Sequence, residues 1–455
     1  MSLENIEIHG FRGFKNKATL NFAVPNGIPG SGMTLITGPN NSGKSSILEC
    51  LKARSGYQSP SFTVGARNNA VDRVEIKYKI NSNTETIKSI TKGASETIRQ
   101  GVDQNFHIFV LPSRRAFEPY FGRGEWTRNE LQQNTSLQPQ RSSMLAGFSN
   151  RLFNTLKEPT EFNKILSEVL SFSPEWTIDQ SDQGSYFLKF FNEENSHSSD
   201  GMGEGIVSIF AIADALHDSK KGDVVVIDEP ELSLHPSLQK RLAYLLLKYS
   251  SDRQIIISTH SPYFVDLQSL SSGGHLARVT SGKSGTVIHE ITQRSKDAIA
   301  KLSSGNLYNP HVFGLDSKEL FFQDDKIILT EGQEDVLLLP NIASQLEKKL
   351  IGNFFGWGAG GAGNIQHLCT ILKDLGYEKV AGILDGDKSD EKETLDKAFP
   401  EYFFVCIPAK DIRTKPARKA VDEVEGLLDS EKYIKPEYTD SMAQLFDSLT
   451  HHMNS

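Results

Sequence analysis

Near the start of the chain stands Gly38-Pro39-Asn40-Asn41-Ser42-Gly43-Lys44-Ser45, which fits the pattern G-x-x-x-x-G-K-[ST] at every fixed position. The apolar, partly β-branched run Met33-Thr34-Leu35-Ile36-Thr37 precedes it, and Ser46-Ile47-Leu48-Glu49-Cys50-Leu51 follows it with the character of a helix. A strand, a glycine-rich loop and a helix in this order are what a phosphate-binding loop requires. The stretch therefore predicts a nucleoside triphosphate site. The alternative is a Gly/Ser/Asn turn that only resembles such a loop.

The residue types of this loop explain how it would bind ATP. Glycines let the backbone wrap around the phosphates, and successive N–H groups at the start of the helix supply a positive cradle. Lys44 would reach the β- and γ-phosphates, and the hydroxyl of Ser45 would ligate Mg²⁺. The residues expected to contact ATP are Gly38, Asn40, Asn41, Ser42, Gly43, Lys44, Ser45 and Ser46.

Composition limits the class of protein. The chain has 455 residues, enough for two or three domains, and 38% of them are hydrophobic and 23% charged, as in soluble globular proteins. No run approaches the roughly 18 apolar residues of a membrane span and the N-terminal residues lack a signal-peptide pattern, so we expect a cytoplasmic protein without membrane contact. The three separated cysteines permit neither a disulfide framework nor a zinc-site spacing. The net charge of −8 confines any nucleic-acid contact to local patches.

A second motif lies at Asp223-Val224-Val225-Val226-Ile227-Asp228-Glu229-Pro230. Four apolar β-forming residues that end in two carboxylates predict a buried central strand whose carboxyl end faces the nucleotide. Asp228 would hold Mg²⁺ through water, and Glu229 would polarise the attacking water. Another apolar run, from Gln254, ends at His260, which would then contact the γ-phosphate. An ordinary core or surface histidine is the alternative for His260.

The order and residue pattern of these motifs resemble those of the ABC-type ATPases of the RecF/SMC kind. Leu3 to Phe14 is similar to the first strand and turn of that group, and Glu229 to Pro236 is similar to its acidic segment. The stretch Ser199 to Gly205 occupies the place of the ABC signature and departs from the standard LSGGQ. By this resemblance Ser199 and Gly201 would contact the nucleotide held by a second subunit, which implies a homodimer or higher homo-oligomer. An ordinary capped helix start is the alternative.

The wide separation of Lys44 and Asp228 indicates an insertion, for which residues 112–194 are the candidate. Apolar residues at helical spacing predict a short helical subdomain used for self-association, and the absence of sustained heptads excludes a long coiled coil. Within it, arginines alternate with aromatic residues from Arg114 to Arg128. Such a pattern suits phosphates and exposed bases, so Arg114, Arg115 and Arg123 are candidate nucleic-acid contacts. A solvated or subunit-facing loop explains the pattern equally well.

A new α/β unit starts after residue 315, which divides the chain into an ATPase domain, residues 1–315, and a second domain, residues 316–455. Two predicted strands end in acidic clusters, Glu331-Gly332-Gln333-Glu334-Asp335 and Asp385-Gly386-Asp387. Because the carboxyl ends of strands meet at one edge of an open sheet, Glu331, Asp335, Asp385 and Asp387 are candidate ligands for Mg²⁺ or Mn²⁺. Such a site can support phosphodiester cleavage. Taken singly, Asp-Gly-Asp is frequently only a turn.

Together with the glycine-rich Gly358 to Asn364, these clusters resemble the Toprim fold, and an ABC-type head followed by Toprim is the arrangement of the OLD (overcoming lysogenisation defect) family. The resemblance implies Glu331 as base or metal ligand, and late acidic and lysine residues that we expect within Pro408–Lys415 or at Glu423 and Glu425. Basic residues there are further candidate nucleic-acid contacts: Lys410, Arg413 and Lys415.

The fold class expected is therefore α/β, an ABC-type ATPase head with a helical insertion followed by a small Toprim domain. The resemblance implies an ATP-regulated, Mg²⁺- or Mn²⁺-dependent nuclease acting on DNA, in bacterial anti-phage defence, sometimes beside a reverse transcriptase or a second nuclease. A non-cleaving ATP switch of the RecF type, which binds DNA or sequesters a partner, is the alternative from another class. An RNA-cleaving toxin is a third, since Toprim chemistry does not itself choose DNA over RNA.

Overall fold

The computed structural model describes residues 1–55, 59–63, 65–101, 103, 106–113, 115, 122–127, 130, 148–170, 172–192, 195–198, 203–304, 318, 320–322, 325–415 and 424–455. These residues form two compact units, Met1–Glu290 and Ile291–Ser455. Each unit contains its own parallel sheet. In the described ranges, no helix has the length and apolar character needed to cross a membrane.

A six-stranded sheet forms the centre of the first unit. Its strands are β3 (Met33–Thr37), β7 (Ile108–Leu111), β11 (Val224–Asp228), β12 (Gln254–Ser258), β13 (His275–Gly282) and β14 (Gly285–Glu290). They are ordered β14-β13-β3-β12-β11-β7, and all neighbours are parallel except β13 and β14. Every residue of β3, β7, β11 and β12 is buried, as their continuous apolar sequences require.

The register of the central strands places the predicted motifs at one edge of the sheet. Asp228 of β11 pairs with Ser258 of β12, and Ser258 pairs with Ile36 of β3. The three parallel strands therefore end at the same level. Their following loops, which carry the phosphate-binding pattern, the acidic motif and His260, leave from the same edge, where ligands of open α/β sheets bind.

An antiparallel sheet accompanies the parallel one in the first unit. Its strands, in the spatial order β2-β1-β4-β5-β6, are β1 (Leu3–His9), β2 (Ala18–Asn21), β4 (Glu75–Ile80), β5 (Asn83–Ser89) and β6 (Thr97–Gln100). Alternating buried side chains on one face, such as Ile6 and Ile76, share a core with Ile47 and Leu51, which lie in the helix after the phosphate-binding pattern. This packing supports that helix at the site.

The helices of the first unit lie between these strands in sequence. They are α1 (Lys44–Ala53), α2 (Phe148–Lys157), α3 (Thr160–Leu170), α4 (Glu204–Asp218), α5 (Pro236–Tyr249) and α6 (Leu267–Ser271), with a 3-10 turn at Pro262–Phe264. Helix α4 is buried along most of its length, as expected from its mainly apolar sequence.

The insertion predicted to be helical is mixed, which corrects the expectation for residues 112–194. Helices α2 and α3 are separated at Pro159, since the residue before a proline disfavours helical geometry. Three antiparallel strands then form a small sheet ordered β10-β9-β8: β8 (Glu175–Gln180), β9 (Tyr186–Asn192) and β10 (Asn195–Ser198). Edge-to-face aromatic contacts join Phe162, Trp176 and Phe190 to Phe210 of α4. The described part of the insertion thus packs on α4.

The second unit is built on a four-stranded parallel sheet. Its strands, in the order β16-β15-β17-β18, are β15 (Ile327–Thr330), β16 (Asn353–Phe354), β17 (Val380–Leu384) and β18 (Phe403–Cys406), and a separate parallel pair is formed by β19 (Asp411–Arg413) and β20 (Gly426–Leu428). The helices are α7 (Gln293–Ser304), α8 (Gln333–Gln345), α9 (Ala362–Asp374), α10 (Ser389–Ala398) and α11 (Thr439–Asn454), with 3-10 turns at Leu320–Phe322 and Pro436–Tyr438.

The second unit begins earlier than the predicted boundary after residue 315. Helix α7 belongs to it, because Ser295 and Thr292 donate hydrogen bonds to the carboxylate of Asp374 at the end of α9. The two compact units therefore divide at Glu290 and Ile291.

Candidate functional site

The phosphate-binding pattern adopts the backbone that its glycines permit. Gly38 and Gly43 have φ angles of +132° and +112°, and a Cβ atom on Gly38 would lie 2.1 Å from the carbonyl oxygen of Val279. Gly43 immediately precedes α1, so the first N–H groups of that helix face the loop. Asn41 also has positive φ, at +62°. The backbone is thus arranged as an anion-binding turn at a helix start.

The contacts of Lys44 fit a phosphate-binding role. Its Nζ donates to the carbonyl oxygens of Gly38 and Pro39 at 2.9 and 3.0 Å. Burial lowers the pKa of Lys44, while the nearby charges of Glu229, Asp228 and Glu231 oppose this shift. The loop and the acidic motif after β11 therefore lie within electrostatic reach of each other, as ATP with Mg²⁺ requires.

Hydroxyl groups of the loop complete the fit to a Mg²⁺–nucleotide. The hydroxyl of Ser42 is buried and has no hydrogen-bond partner among the described residues, so it can accept one from a ligand. Ser45 is half-buried at the second position of α1, Ser46 is buried beside it, and Asn40 is exposed at the tip of the loop. The donor set therefore suits a phosphate chain with its cation.

The acidic motif leaves β11 through a strained turn. Asp228 is the last residue of the strand and is buried. Glu229 has a φ of +46°, in the left-handed region that non-glycine residues seldom adopt, and its N–H donates to the carbonyl oxygen of Ser258 at 2.7 Å. Strain of this kind is typical of residues whose orientation matters for function.

A network that the sequence did not reveal connects this turn to His260. The carboxylate of Glu231 accepts hydrogen bonds from the Thr259 hydroxyl at 2.8 Å and from the His260 N–H at 2.6 Å. Burial raises the pKa of Glu231, although these hydrogen bonds partly offset the rise. Burial and the charge of Lys44 lower the pKa of His260, against the effect of Glu229. The lowered pKa favours the neutral imidazole, and His260 lies within electrostatic reach of Lys44 and Glu229.

Arg115 is a correction to the predicted nucleic-acid contacts. Its side chain is buried, with 3% exposure, and its guanidinium donates to protein groups beneath the ATPase motifs. It therefore cannot meet a nucleic-acid phosphate. Arg123 is exposed, as that prediction requires, whereas Arg114 and the predicted signature residues Ser199 and Gly201 lie outside the described residues.

In the second unit, the predicted acidic clusters meet at a pocket of about 490 Å³. Glu331 follows β15, Asp335 lies in the first turn of α8, and Asp385 follows β17. The pocket is lined by these three residues together with Gly332, Gln333, Glu334, Gly360, Asp411, Ile412 and Lys415. The parallel strands thus deliver their terminal carboxylates to one cavity, as the sequence pattern predicts.

Two hydrogen bonds fix the carboxylates of this pocket. The Asp385 N–H donates to Glu331 Oε1 at 2.9 Å, which connects the ends of β15 and β17. The Gly332 N–H donates to Asp335 Oδ2 at 2.9 Å, which caps the start of α8. Both bonds leave the remaining carboxylate oxygens of Glu331 and Asp335 for other partners.

The electrostatics of the pocket favour a cation. Burial raises the pKa of Asp385 to about 7, and Glu331, Asp335 and Asp411 increase the shift while Lys415 opposes it. Burial raises the pKa of Asp335 to about 6, with further contributions from Glu331 and Asp411. The pKa of Glu331 is also raised, by burial first. Mutual repulsion of this kind is relieved by a bound divalent ion.

The remaining predicted residues of the second unit are distributed around this pocket. Asp387 does not line it: its side chain is about half exposed and pairs with Lys388 at 3.3 Å. Lys410 is exposed, and Arg413 is exposed and pairs with Glu334 at 2.5 Å. Lys415 lines the pocket and pairs with Asp411. Asp411 belongs to the segment expected to hold late acidic residues, but the sequence pattern of that segment did not identify Asp411 in particular as a residue of the site.

The pocket suits a metal ion that is bound by few protein ligands. Across the described ranges, no three side chains of His, Cys, Asp or Glu are grouped closely enough to hold an ion by themselves. Mg²⁺ commonly binds through one or two carboxylates and keeps several waters. The pocket has both the carboxylates and the space for this mode of binding.

Comparisons with known families agree with this division of the chain. Residues 1–92 match an AAA ATPase domain, and residues 99–266 match the AAA domain described for the AbiEii toxin of type IV toxin–antitoxin systems. Residues 321–387 match the TOPRIM domain of overcoming lysogenization defect protein-like proteins. The predicted α/β fold class, an ATPase head followed by a Toprim domain, is confirmed.

Two curated proteins are similar in sequence. The Old nuclease of Escherichia phage P2 is 30% identical over 138 residues, which is 30% of this chain and 22% of that protein. Endonuclease GajA of Bacillus cereus (strain VD045) is 26% identical over 249 residues, which is 53% of this chain and 36% of that protein. The chain thus matches well under two thirds of the length of each relative.

Solved structures of SMC heads also match. The SMC head domain from Thermotoga maritima has a TM-score of 0.39 and 16% identity, covering 64% of this chain and 100% of that chain. The SmcHead bound to the C-winged helix domain of ScpA has a TM-score of 0.41 and 14% identity, covering 64% and 98%.

Proposed function

We propose that this chain, an ATPase–Toprim protein of the overcoming lysogenization defect family, is an ATP-regulated endonuclease that depends on Mg²⁺ or Mn²⁺ and cleaves DNA. The observation that carries the proposal is the pocket of the second unit, where Glu331, Asp335, Asp385 and Asp411 surround one cavity. Two relatives that share parts of this sequence are named as nucleases. A carboxylate-lined cavity beside a lysine is a suitable place for a phosphodiester and a metal ion.

The residues of the pocket have distinct roles in this proposal. A divalent cation, held by Glu331 and Asp385 with Asp335 nearby, would supply Lewis acidity and a more acidic bound water. The hydrogen bond from the Asp385 N–H to Glu331 holds the two carboxylate-bearing loops at a fixed separation. Lys415 lies beside Asp411 at the wall of the pocket and provides a positive charge for a substrate phosphate.

The first unit would control this activity through ATP. Lys44 and the α1 N–H groups hold the phosphates, Ser45 and Asp228 would hold Mg²⁺, and Glu229 accepts a proton from the attacking water. His260, which interacts electrostatically with Lys44 and Glu229, would contact the γ-phosphate. A second copy of the chain would complete each nucleotide site through Ser199 and Gly201, so the working form is a homodimer or a larger homo-oligomer. Its biological role would be bacterial anti-phage defence, either alone or together with a partner enzyme.

A non-cleaving ATP switch is the second candidate. It is favoured by one observation, that the described carboxylates of the pocket are not grouped closely enough to chelate an ion by themselves. In this case the second unit would serve as a docking module for DNA or a partner. The raised pKa values of Asp335 and Asp385 count against it, because a docking module gains nothing from four repelling carboxylates.

A cleavage assay distinguishes these functions. Purified chain is incubated with double-stranded DNA, single-stranded DNA or tRNA, with Mg²⁺, Mn²⁺ or EDTA, and with or without ATP. We expect metal-dependent cuts in DNA that Asp385→Asn abolishes. Asp396→Asn is the matched control, since Asp396 lies on α10 and pairs only with Lys392 among the described residues. Cleavage of tRNA alone would identify the toxin, and no cleavage of any substrate would identify the switch.

A further inference from the structure

The buried guanidinium of Arg115 is bound almost entirely to the backbone around the ATPase motif. Its Nη1 donates to the carbonyl oxygens of Asp228 and Pro112 at 2.7 and 2.8 Å, and its Nη2 donates to that of Glu229 at 2.9 Å. Its Nε donates to the hydroxyl of Ser208 at 2.7 Å. In the described part of the chain, no carboxylate forms a salt bridge with it. Four of the five guanidinium N–H groups therefore donate to three backbone carbonyl oxygens and one hydroxyl.

These bonds fix the backbone on both sides of Glu229. The carbonyl groups of Asp228 and Glu229 both accept from Arg115, while the N–H of Glu229 donates to the Ser258 carbonyl oxygen on β12. The polar groups that flank the Glu229 Cα are thus all held, at a residue whose φ of +46° is unfavourable in isolation. Rotation of this turn would change the direction of the Glu229 side chain.

The same residue connects the turn to helix α4. Ser208 lies in α4, whose first two residues, Glu204 and Gly205, are the last two of the segment predicted to be the signature. The start of α4 touches the turn at two further points: the Ser233 hydroxyl donates to Glu204 at 3.0 Å, and a Cβ on Gly205 would lie 2.5 Å from the Ser233 carbonyl oxygen. The start of α4 and the turn that carries Glu229 are therefore in direct contact.

We propose that Arg115 is a positioning residue for ATP hydrolysis, which sets the orientation of Glu229 and couples it to the start of α4. The inference rests on the ATP hydrolysis proposed above. Arg115 binds the backbone of the acidic motif and would act on hydrolysis through Glu229.

Steady-state ATPase kinetics of the full chain test this role. Arg115→Lys keeps a positive charge but replaces a planar fork that makes four hydrogen bonds by a single nitrogen with three donors. We therefore expect kcat to fall about 100-fold, the size of effect that misplacing a catalytic group by an ångström can have. The affinity for ATP should change less than about threefold, because Arg115 does not contact the phosphate loop. In a Glu229→Gln background, Arg115→Lys should cause no further loss, because both lesions remove the same function.

A matched control separates positioning from folding. Arg151 is equally buried and also binds α4, through Asp214, but makes no contact with the acidic motif among the described residues. Arg151→Lys should therefore leave kcat within about twofold of wild type. Ser208→Ala, which keeps the buried arginine, should lower kcat by an intermediate factor even if Arg115→Lys does not fold. Unchanged kcat in Arg115→Lys or Ser208→Ala would overturn this inference alone, whereas a wild-type chain without ATPase activity would overturn the proposed function and the inference together.

Discussion

Replacement of Asp385 by Asn should stabilise the metal-free chain while it abolishes cleavage. Burial and three neighbouring carboxylates raise the pKa of Asp385 from 3.8 to about 7. Because this pKa is higher in the folded than in the unfolded state, the folded state loses stability as pH rises from about 4 through about 7. Asparagine has nearly the same shape and no charge, so the Asp385→Asn variant does not lose stability in this way as pH rises.

The magnitude follows from the pKa. About 1.4 kcal/mol per pKa unit gives an upper limit of about 4 kcal/mol for the cost of ionised Asp385 at pH 8. The carboxyl is only half-buried, and screening by water reduces this to about 2 kcal/mol. For a unit of this size, about 1 kcal/mol shifts Tm by about 2–4 °C. Asp385→Asn should therefore raise the Tm of the second unit by about 4–8 °C at pH 8, and by less than half of that at pH 5.

Calorimetry of the full chain in EDTA measures this effect. Leu449→Ala identifies the transition of the second unit, because Leu449 is fully buried in its core and the truncation costs about 2–5 kcal/mol. Asp396→Asn is the matched control and should leave Tm within about 1 °C, as expected for a partly exposed i,i+4 ion pair. A lower Tm for Asp385→Asn, or an equal rise at pH 5 and pH 8, would refute the reasoning.

Three further predictions concern the two sites. Glu229→Gln should lower the kcat of ATP hydrolysis at least about 100-fold and retain ATP binding, which nucleotide-binding titration checks; hydrolysis at the wild-type rate would show that Glu229 is not the base. Gly43→Ala should weaken ATP binding at least about tenfold in the same titration, because Gly43 has φ +112° and an added Cβ would lie 2.9 Å from Thr286. Gly282→Ala is the control and should leave ATP binding unchanged, because an added Cβ there would have no neighbour within 4 Å among the described residues. The affinity of the second unit for Mn²⁺ should rise from pH 6 to pH 8, because the cation displaces protons from Asp335 and Asp385, whose pKa values are about 6 and about 7. Calorimetric titration measures this affinity, with Asp385→Asn as the reference variant. An affinity that is independent of pH would contradict the prediction.

Patterns that are local in sequence predicted the framework of both units. Met33–Thr37 is a strand with the bounds expected, since a continuous apolar run before a glycine-rich loop leaves few other structures. The meeting of Glu331 and Asp385 followed from a general property of parallel sheets, in which strand ends share an edge. Neither inference required a tertiary contact to be known beforehand.

The roles of Arg115 and Asp411 could not be predicted from the sequence. Arg115 stands among arginines and aromatics that suggest a nucleic-acid surface, and nothing in the sequence marks the carbonyls of Asp228 and Glu229 as its partners. Asp411 reaches the pocket through the short β19, far from Asp335 in sequence. The spacing of Asp411 and Lys415 after an apolar strand was the sequence feature that could have indicated their place in the pocket.

The insertion and the domain boundary were missed for a different reason. Tyr186 to Phe191 is rich in aromatic residues that suit either a buried helix or a strand, and only pairing with β8 selects the strand. Helix α7 looks like an end of the first domain in sequence, but its hydrogen bonds to Asp374 join it to the second unit. In both cases a long-range contact decides between structures that local preferences leave open.

The central claim is that one chain carries an ATPase site and a separate metal-dependent cleavage site. The most direct measurement follows ATP hydrolysis and strand cleavage in parallel, in one preparation each of wild type, Lys44→Ala and Asp385→Asn, with Mn²⁺ and with EDTA. We predict that Lys44→Ala loses ATP hydrolysis, and that Asp385→Asn loses cleavage while it hydrolyses ATP at the wild-type rate. Cleavage that survives unchanged in Asp385→Asn, or that proceeds equally in EDTA, would contradict the account.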